Sequence, residues 1–488
     1  MIDLARVDAS GLAAMLRRRE ISAIELLDLH LARIADINPR LNAVVTVDTD
    51  RARRQAQQAD AALARGEARG ALHGVPVTVK DAWATAGLRT TSGNPPWSDF
   101  VPEADAPIVA RIRAAGAIVV GKTNLPALSF GGQSNNPIFG RTNNPWDLAR
   151  TPGGSGGGAA AAVAAGLSPL DIGADYVGSV RVPAHYCGLF AIKPTEYRIP
   201  EVGYHPSPEN PLGLPAGVVR QQRALGGPIA RSVADLVLAL QLMAGPDRQH
   251  LELPPVPMGE HSVPRLADLR LGWTDDFGGF GATTDTREAL AKLAIDLERR
   301  GCRVTRGTPA GLDFPAAWEL WGALHEITRA SLLTPEAEDQ ALAAIGATVD
   351  SDDASLRGMA LYRHATLRQY GEVLAARDVA IRALEGFFDD HDALLCPVAY
   401  GPAFPHCPDG TPILYDGVAI PHYMAFRGYT MLFNATGHPA VTIPLARSAE
   451  GLPIGLQVVG RRWGDAQVLG VAATLAELIG SYQPPPTV

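Results

Sequence analysis

The fold class predicted by this sequence is α/β, with a largely parallel or mixed sheet, and three observations lead there. Short apolar runs with strand character alternate with helix-periodic stretches along most of the chain. The 488 residues are 47% hydrophobic and only 19% charged, apolar enough to offset the entropy of ordering a sizeable core. The 50 glycines and 39 prolines supply many turns, yet they form neither a collagen-like period nor an internal repeat.

Taken in order, residues 10–65 read as helices. Ser22 followed by Glu25 is a capping box, and Ile24, Leu27, Leu31 and Ile34 then recur at helical spacing until Asn38-Pro39, where the helix is expected to end. Val75, Val77 and Val79 alternate as a strand running into Lys80. Ile108, Ile112 and Ala115 stripe a helix closed by Gly116, and residues 117–120 form the next strand, expected to close at Gly121. A second strand–helix–strand unit occupies 269–273, 286–300 and 302–305. The proline-rich residues 248–264 read as a long connection, and 310–385 as mostly helical. Pro453–Val459 reads as a strand, followed by a helix over 466–479.

The net charge of −8 argues against nucleic acid as the main partner, because surfaces that bind it are usually basic. Cys187, Cys302, Cys396 and Cys407 show no CxxC spacing, which fits a reduced, cytoplasmic protein better than a disulfide scaffold. The first twenty residues lack the apolar core of a signal peptide, and no apolar run is long enough to span a bilayer, so no membrane partner is expected.

The most unusual stretch is Thr151-Pro152-Gly153-Gly154-Ser155-Gly156-Gly157-Gly158, followed by an alanine-rich run. It admits three readings. The plainest is a flexible surface loop before a small-residue core helix. Gly154-x-Gly156-x-x-Ala159, with Asp175 further on, imitates a dinucleotide-binding fingerprint, and Gly153-x-Ser155-x-Gly157, with His438 later in the chain, imitates a nucleophile elbow. Both motifs must follow a buried strand, and residues 144–152 (NPWDLARTP) cannot be one. No lysine follows the glycines as in a phosphate-binding loop. A second small-residue segment, 171–183, places Ser179 after a glycine-containing turn. There a hydroxyl and backbone N–H groups together could serve acyl transfer. Lys80 alone is ambiguous, since a lysine at a strand end is usually a solvated charge.

Together these segments resemble the amidase signature family of serine amidohydrolases. The resemblance runs through GVPVTVKD (74–81), TTSG (90–93), GAIVVGKTN (116–124), NNPWD (143–147), the Gly/Ser segment, GSVRVPAHYCG (178–188), GPIARSVAD (227–235), GHPA (437–440) and GLPIGLQ (451–457), with Ser155 and Ser179 at the family's spacing. It implies a central mixed, largely parallel sheet covered by helices on both faces, in one large domain over 1–488. Within that domain 1–65 would be N-terminal helices, 66–247 the catalytic core, 265–390 a mostly helical variable region and 391–488 the C-terminal part of the core. It makes Ser179 the nucleophile, Ser155 a bridging serine after a cis peptide bond to Gly154, and Lys80 the base, kept neutral by burial. The backbone N–H groups of Tyr176, Val177, Gly178 and Ser179 would form the oxyanion hole. Asp175 and Arg181 would brace that turn, with no metal or cofactor required. Cys187 is expected to be a small buried residue, and His185 to bond locally.

This sequence departs from the family pattern at three places: Gly156 stands where a second serine is common, Val177 where glycine is usual, and Ala127 where glutamate is frequent. A β-branched residue resists positive φ, so the 177 position must take an ordinary conformation. The expected activity is hydrolysis of small aliphatic or aryl amides, with carbamates and esters as further substrates, by a chain acting alone or as a homodimer. Two alternatives stay open: the A subunit of a tRNA-dependent amidotransferase, against which Val182 stands in place of the usual glutamine, and an α/β-hydrolase-type esterase using Ser155. Residues 199–225 and 310–385 are expected to wall the acyl pocket, with Tyr176, Tyr204, Trp318, Trp321, Leu332 and Leu333 as candidate lining.

Overall fold

In the computed structural model, which describes residues 2–213, 225–278, 281–330, 333–480 and 482–486, the strands span residues 44 to 459. In chain order they are β1 (Val44–Val47), β2 (Pro76–Lys80), β3 (Ile118–Thr123), β4 (Asn135–Asn136), β5 (Gly140–Arg141), β6 (Leu170–Asp175), β7 (Phe190–Lys193), β8 (Leu225–Ala230), β9 (Arg270–Trp273), β10 (Arg303–Arg306), β11 (Ala393–Pro397), β12 (Ile413–Tyr415), β13 (Val418–Ile420), β14 (Ala440–Arg447) and β15 (Pro453–Val459). Eleven of them form one sheet in the order β1-β3-β2-β6-β8-β7-β14-β15-β11-β9-β10, while β4–β5 and β12–β13 pair separately.

The sheet is mixed, as the sequence predicts. Parallel pairing falls in two blocks, β3-β2-β6 and β11-β9-β10. These blocks come from the strand–helix–strand units, whose crossover helices are Pro107–Ala114 and Thr284–Arg299. Antiparallel pairs from β6 to β11 join the two blocks, and β1 adds antiparallel to β3. Helices Gly157–Ala164 and Arg181–Cys187 pack on each other and on the sheet, and Val233–Met243 and Asp465–Ile479 form a second such pair. Strands buried on both faces are near-continuous in apolar residues, as β2, β3, β11 and β15 are here.

Local expectations hold at most elements. The Ser22–Glu25 capping box is formed reciprocally. Residues 248–264 carry neither helix nor strand, and 310–385 contain the helices Phe314–Ala330, Pro335–Ala344 and Ala354–Leu361 and most of Leu367–Asp390. Two boundaries differ. The helix starting at Ala23 passes Pro39 and ends at Leu41, because Asn42 takes a left-handed conformation and closes the turn with its N–H on the Asn38 carbonyl. Strand β3 continues through Gly121 to Thr123, since that glycine lets the Thr46 carbonyl of β1 approach where a Cβ would stand. Among the described residues no helix is long and apolar enough to cross a membrane.

A methyl group at 121 must displace the β1 backbone. Gly121→Ala is therefore expected to lower stability by about 1–3 kcal/mol, measured as an earlier urea unfolding midpoint with an unchanged slope.

Candidate active site

Strand β2 is buried along its whole length and delivers Lys80 at its C-terminal end. The Lys80 side chain is fully buried, and its Nζ donates to Ser155 Oγ at 2.6 Å. Burial brings this amine down to about 7, against the opposing pull of the Asp171 and Asp175 carboxylates. An ordinary surface lysine stays charged; this one is close to half neutral at neutral pH.

Ser155 follows a cis peptide bond from Gly154. Residues 142–154 contain no strand, so neither the dinucleotide-binding nor the elbow geometry is present. Nor is the segment a flexible surface loop: residues 151–166 are buried throughout, and the alanine-rich run is the buried helix Gly157–Ala164. The Gly156 N–H donates to the Ser179 carbonyl at 3.0 Å, and a Cβ at 156 would lie only 2.6 Å from that same oxygen. A bare residue is thus what lets the Ser155 loop touch the backbone of the Ser179 turn. Ser134, which the sequence does not single out, also supports the loop: its hydroxyl donates to the Gly153 carbonyl and accepts from the Gly157 N–H, both at 3.0 Å.

Ser179 sits in the turn between β6 and the helix Arg181–Cys187. Val177 keeps an ordinary φ and the positive angle falls on Gly178, at +108°, so the β-branched residue is accommodated without entering the left-handed region. The Thr430 hydroxyl donates to the Val177 carbonyl at 2.8 Å. The Gly178 N–H is engaged by Asp175 Oδ1 at 2.7 Å. This corrects the expectation that all four amides of the turn are available to an oxyanion. Among the described residues, the N–H groups of Val177 and Ser179 have no partner. Val177, the doubtful member of that set, is therefore better placed than Gly178.

Asp175 and Arg181 form a fully buried ion pair, with Nε and a terminal nitrogen each 2.9 Å from a carboxylate oxygen. Burial alone would raise the Asp175 carboxyl, but Arg181 and the Gly178 N–H hold it below the usual carboxylate range. Arg181 also donates to Gln457 Oε1 at 2.7 Å and to Asn434 Oδ1, and Asn434 donates back to Asp175 at 3.1 Å. Asn434, Gln457 and Thr430 are missing from the sequence reading, and no local pattern marks them, because they lie some 250–275 residues along the chain from the turn they hold.

Two further buried groups flank Lys80. Lys122 donates to the hydroxyls of Thr85 and Thr90 at 2.8 and 3.1 Å. Asp171 accepts from Thr78 and Thr123 at 2.7 and 3.0 Å. Around the turn, Tyr176 shares a hydrogen bond between its hydroxyl and His325 Nδ1 at 2.8 Å and packs against Trp321, which stacks on His325. Tyr204 packs on Trp83, with its ring centroid 5.9 Å from Lys80 Nζ. Trp318 is instead a core residue bonded to the Gly428 carbonyl, Leu333 is exposed, and Leu332 lies outside the described residues. His185 accepts from the Gly455 N–H and bonds the Gly401 carbonyl, and burial keeps it neutral, at about 4. Cys187 is buried and burial pushes its thiol up, away from reactivity. Among the described residues no three His, Cys, Asp or Glu side chains are grouped so as to hold a metal ion.

Breaking a buried ion pair on one side leaves an uncompensated charge. Arg181→Met is expected to destabilise the protein by about 3–5 kcal/mol, read by urea unfolding, whereas Arg265→Met on a surface pair with Asp268 should change little.

Comparison with known proteins gives a consistent result. The family model for Amidase matches residues 25–469. An acylamidase of Rhodococcus erythropolis is 32% identical, covering 96% of this chain and 94% of its own. An indoleacetamide hydrolase of Bradyrhizobium diazoefficiens is 34% identical, covering 96% and 86%. Among solved structures, a bacterial aryl acylamidase of the amidase signature enzymes superposes with a TM-score of 0.80 at 26% identity, covering 96% of each chain.

Proposed function

The chain belongs to the amidase family, whose chemistry is amide hydrolysis, and from that premise we propose that it cleaves the C–N bond of small amides with Ser179 as nucleophile, Ser155 as relay and Lys80 as base. The observation that carries this reading is the 2.6 Å hydrogen bond from a fully buried Lys80 amine to Ser155 Oγ. The hydrogen bond between the Gly156 N–H and the Ser179 carbonyl keeps the two serine segments adjacent.

In this scheme the Ser179 oxygen attacks the substrate carbonyl carbon. Its proton passes to Ser155 as the Ser155 proton passes to Lys80. The negative charge on the former carbonyl oxygen is met by the N–H groups of Val177 and Ser179, the two unoccupied donors of the turn. On collapse the proton returns through Ser155 to the leaving nitrogen, which departs as an amine and leaves an acyl ester on Ser179. Water, deprotonated along the same path, then releases the carboxylic acid. Ser155, buried and bonded to the amine, is a relay and not the acyl carrier that an α/β-hydrolase-type esterase would require.

For the substrate, the aromatic wall of Tyr176, Trp321 and His325 beside the turn supports acyl groups with an aryl or alkyl body. Acylamidase and indoleacetamide hydrolase among the relatives support the same class. Aryl carbamates and esters present an equally accessible carbonyl and would follow the same steps.

Two outcomes are expected. In a panel of anilides, aryl acetamides, carbamates and esters, Ser179→Ala and Lys80→Met should each lower kcat/KM at least about 10³-fold, and a fluorophosphonate should label Ser179 by mass spectrometry. Labelling of Ser155, or activity retained in Ser179→Ala, would contradict the scheme. Because Lys80 works in its neutral form and titrates at about 7, kcat/KM should fall about tenfold per pH unit below that value and level off above it.

A further inference from the structure

Beside Lys80 lies a carboxyl group that the proton path above does not use. Asp171 on β6 is the register partner of Thr78 on β2, and Lys80 is the register partner of Thr123 on β3. Register partners on adjacent strands share a sheet face, as do residues two apart on one strand. Lys80, Thr78, Thr123 and Asp171 therefore crowd one buried face. Both threonine hydroxyls donate to Asp171 Oδ2, whereas Oδ1 is buried with no partner. Lys122, the other nearby cation, is committed to the Trp83 carbonyl and the hydroxyls of Thr85 and Thr90. Lys80 has a single hydrogen bond, to Ser155.

We propose that Asp171 is a positioning residue for the reaction: its buried carboxylate is the fixed counter-charge against which Lys80 takes up the proton released when the nucleophilic hydroxyl attacks. This rests on the reading of Lys80 as the base. No proton moves to Asp171. One proton leaves the Ser179 hydroxyl for Ser155, another leaves Ser155 for Lys80, and both retrace their steps to the leaving nitrogen. An ammonium formed in a water-free interior is strongly disfavoured unless an opposite charge is already in place. A carboxylate with one free oxygen on the same face supplies that charge without adding a hydrogen bond that would immobilise the amine.

The surrounding groups leave Asp171 this role. Asp175, the other anion acting on Lys80, is neutralised by Arg181. Lys122 is matched electrostatically by Asp81. His205, near Lys80, is held neutral by burial and by the lysine itself, at about 3. The helix Gly157–Ala164 and strand β8, which pack here, carry no ionisable side chain. The buried ionisable group of the helix Ala23–Leu41 is His30, which burial keeps neutral at about 4.

The test uses the full-length protein and the rate of sulfonylation by phenylmethylsulfonyl fluoride, followed by intact mass from about pH 5 to pH 9. This readout needs no knowledge of the substrate. In the wild type the rate should fall as the pH drops through about 7. Removing a neighbouring negative charge disfavours the protonated amine. Asp171→Asn should therefore move that limb to lower pH by roughly half to one unit and slow the plateau, since a weaker base accepts the proton less readily. Thr123→Val, which removes one hydroxyl from the carboxylate and favours its protonation, should move the limb the same way by less, and it decides the matter if Asp171→Asn does not fold. A limb fixed in both variants, with rates scaled equally at every pH, overturns the proposal. Lys80→Met separates the two levels: loss of labelling together with a fixed limb removes only the Asp171 role, whereas wild-type labelling removes the base reading as well.

Discussion

Everything at this site follows from placing an amine where water cannot reach it. Lys80 ends a strand buried on both faces, and its one hydrogen-bond partner is the hydroxyl of Ser155. In such a place the charged form loses its hydration and the neutral form becomes accessible near neutral pH. That condition requires a dry interior made of closely approaching backbones. The glycines and alanines of residues 153–165 provide it by contributing almost no side-chain bulk at the point where two loops and a helix meet.

The neighbouring turn is organised by the opposite device, a charge that is fully compensated. Asp175 is held ionised by Arg181 and spends its oxygens on the Gly178 N–H, the guanidinium and Asn434. Orienting one amide inward fixes the path of the chain on either side of it, and the neighbouring amides of Val177 and Ser179 are left without internal partners. Two carboxylates thus stand a few residues apart on the same strand end with different tasks. Asp175 is saturated and shapes the backbone, whereas Asp171 keeps one oxygen unpaired on the face of the lysine.

The fold was legible in the sequence where local physics decides it. The capping box at Ser22, the alternation of Val75, Val77 and Val79 and the strand at Pro453–Val459 all stand as read. The two misplaced boundaries came from reading proline and glycine as stops. At Asn42 a side chain tolerant of the left-handed region closes the helix after the proline, and at Gly121 a neighbouring carbonyl, invisible in one strand's sequence, sets the need for glycine. At the site, Lys80, Ser155, Ser179, Asp175 and Arg181 could be named from motifs. That the Gly178 amide is already taken could not, because the hydrogen bond depends on the rotamer of Asp175. Thr430, Asn434 and Gln457 were out of reach for a different reason: their relation to the turn exists only after some 250 residues of intervening chain have folded between them.

That long reach has a consequence for the order in which the molecule comes to life. The residues proposed to do the chemistry are all synthesised within the first 179 positions, but the side chains that steady their turn emerge from the ribosome only with residues 430–457. A nascent chain short of that point carries its serines and its lysine without the clamp that aims them. The reactive hydroxyl is therefore idle during translation and is armed late, when the last strands of the sheet dock.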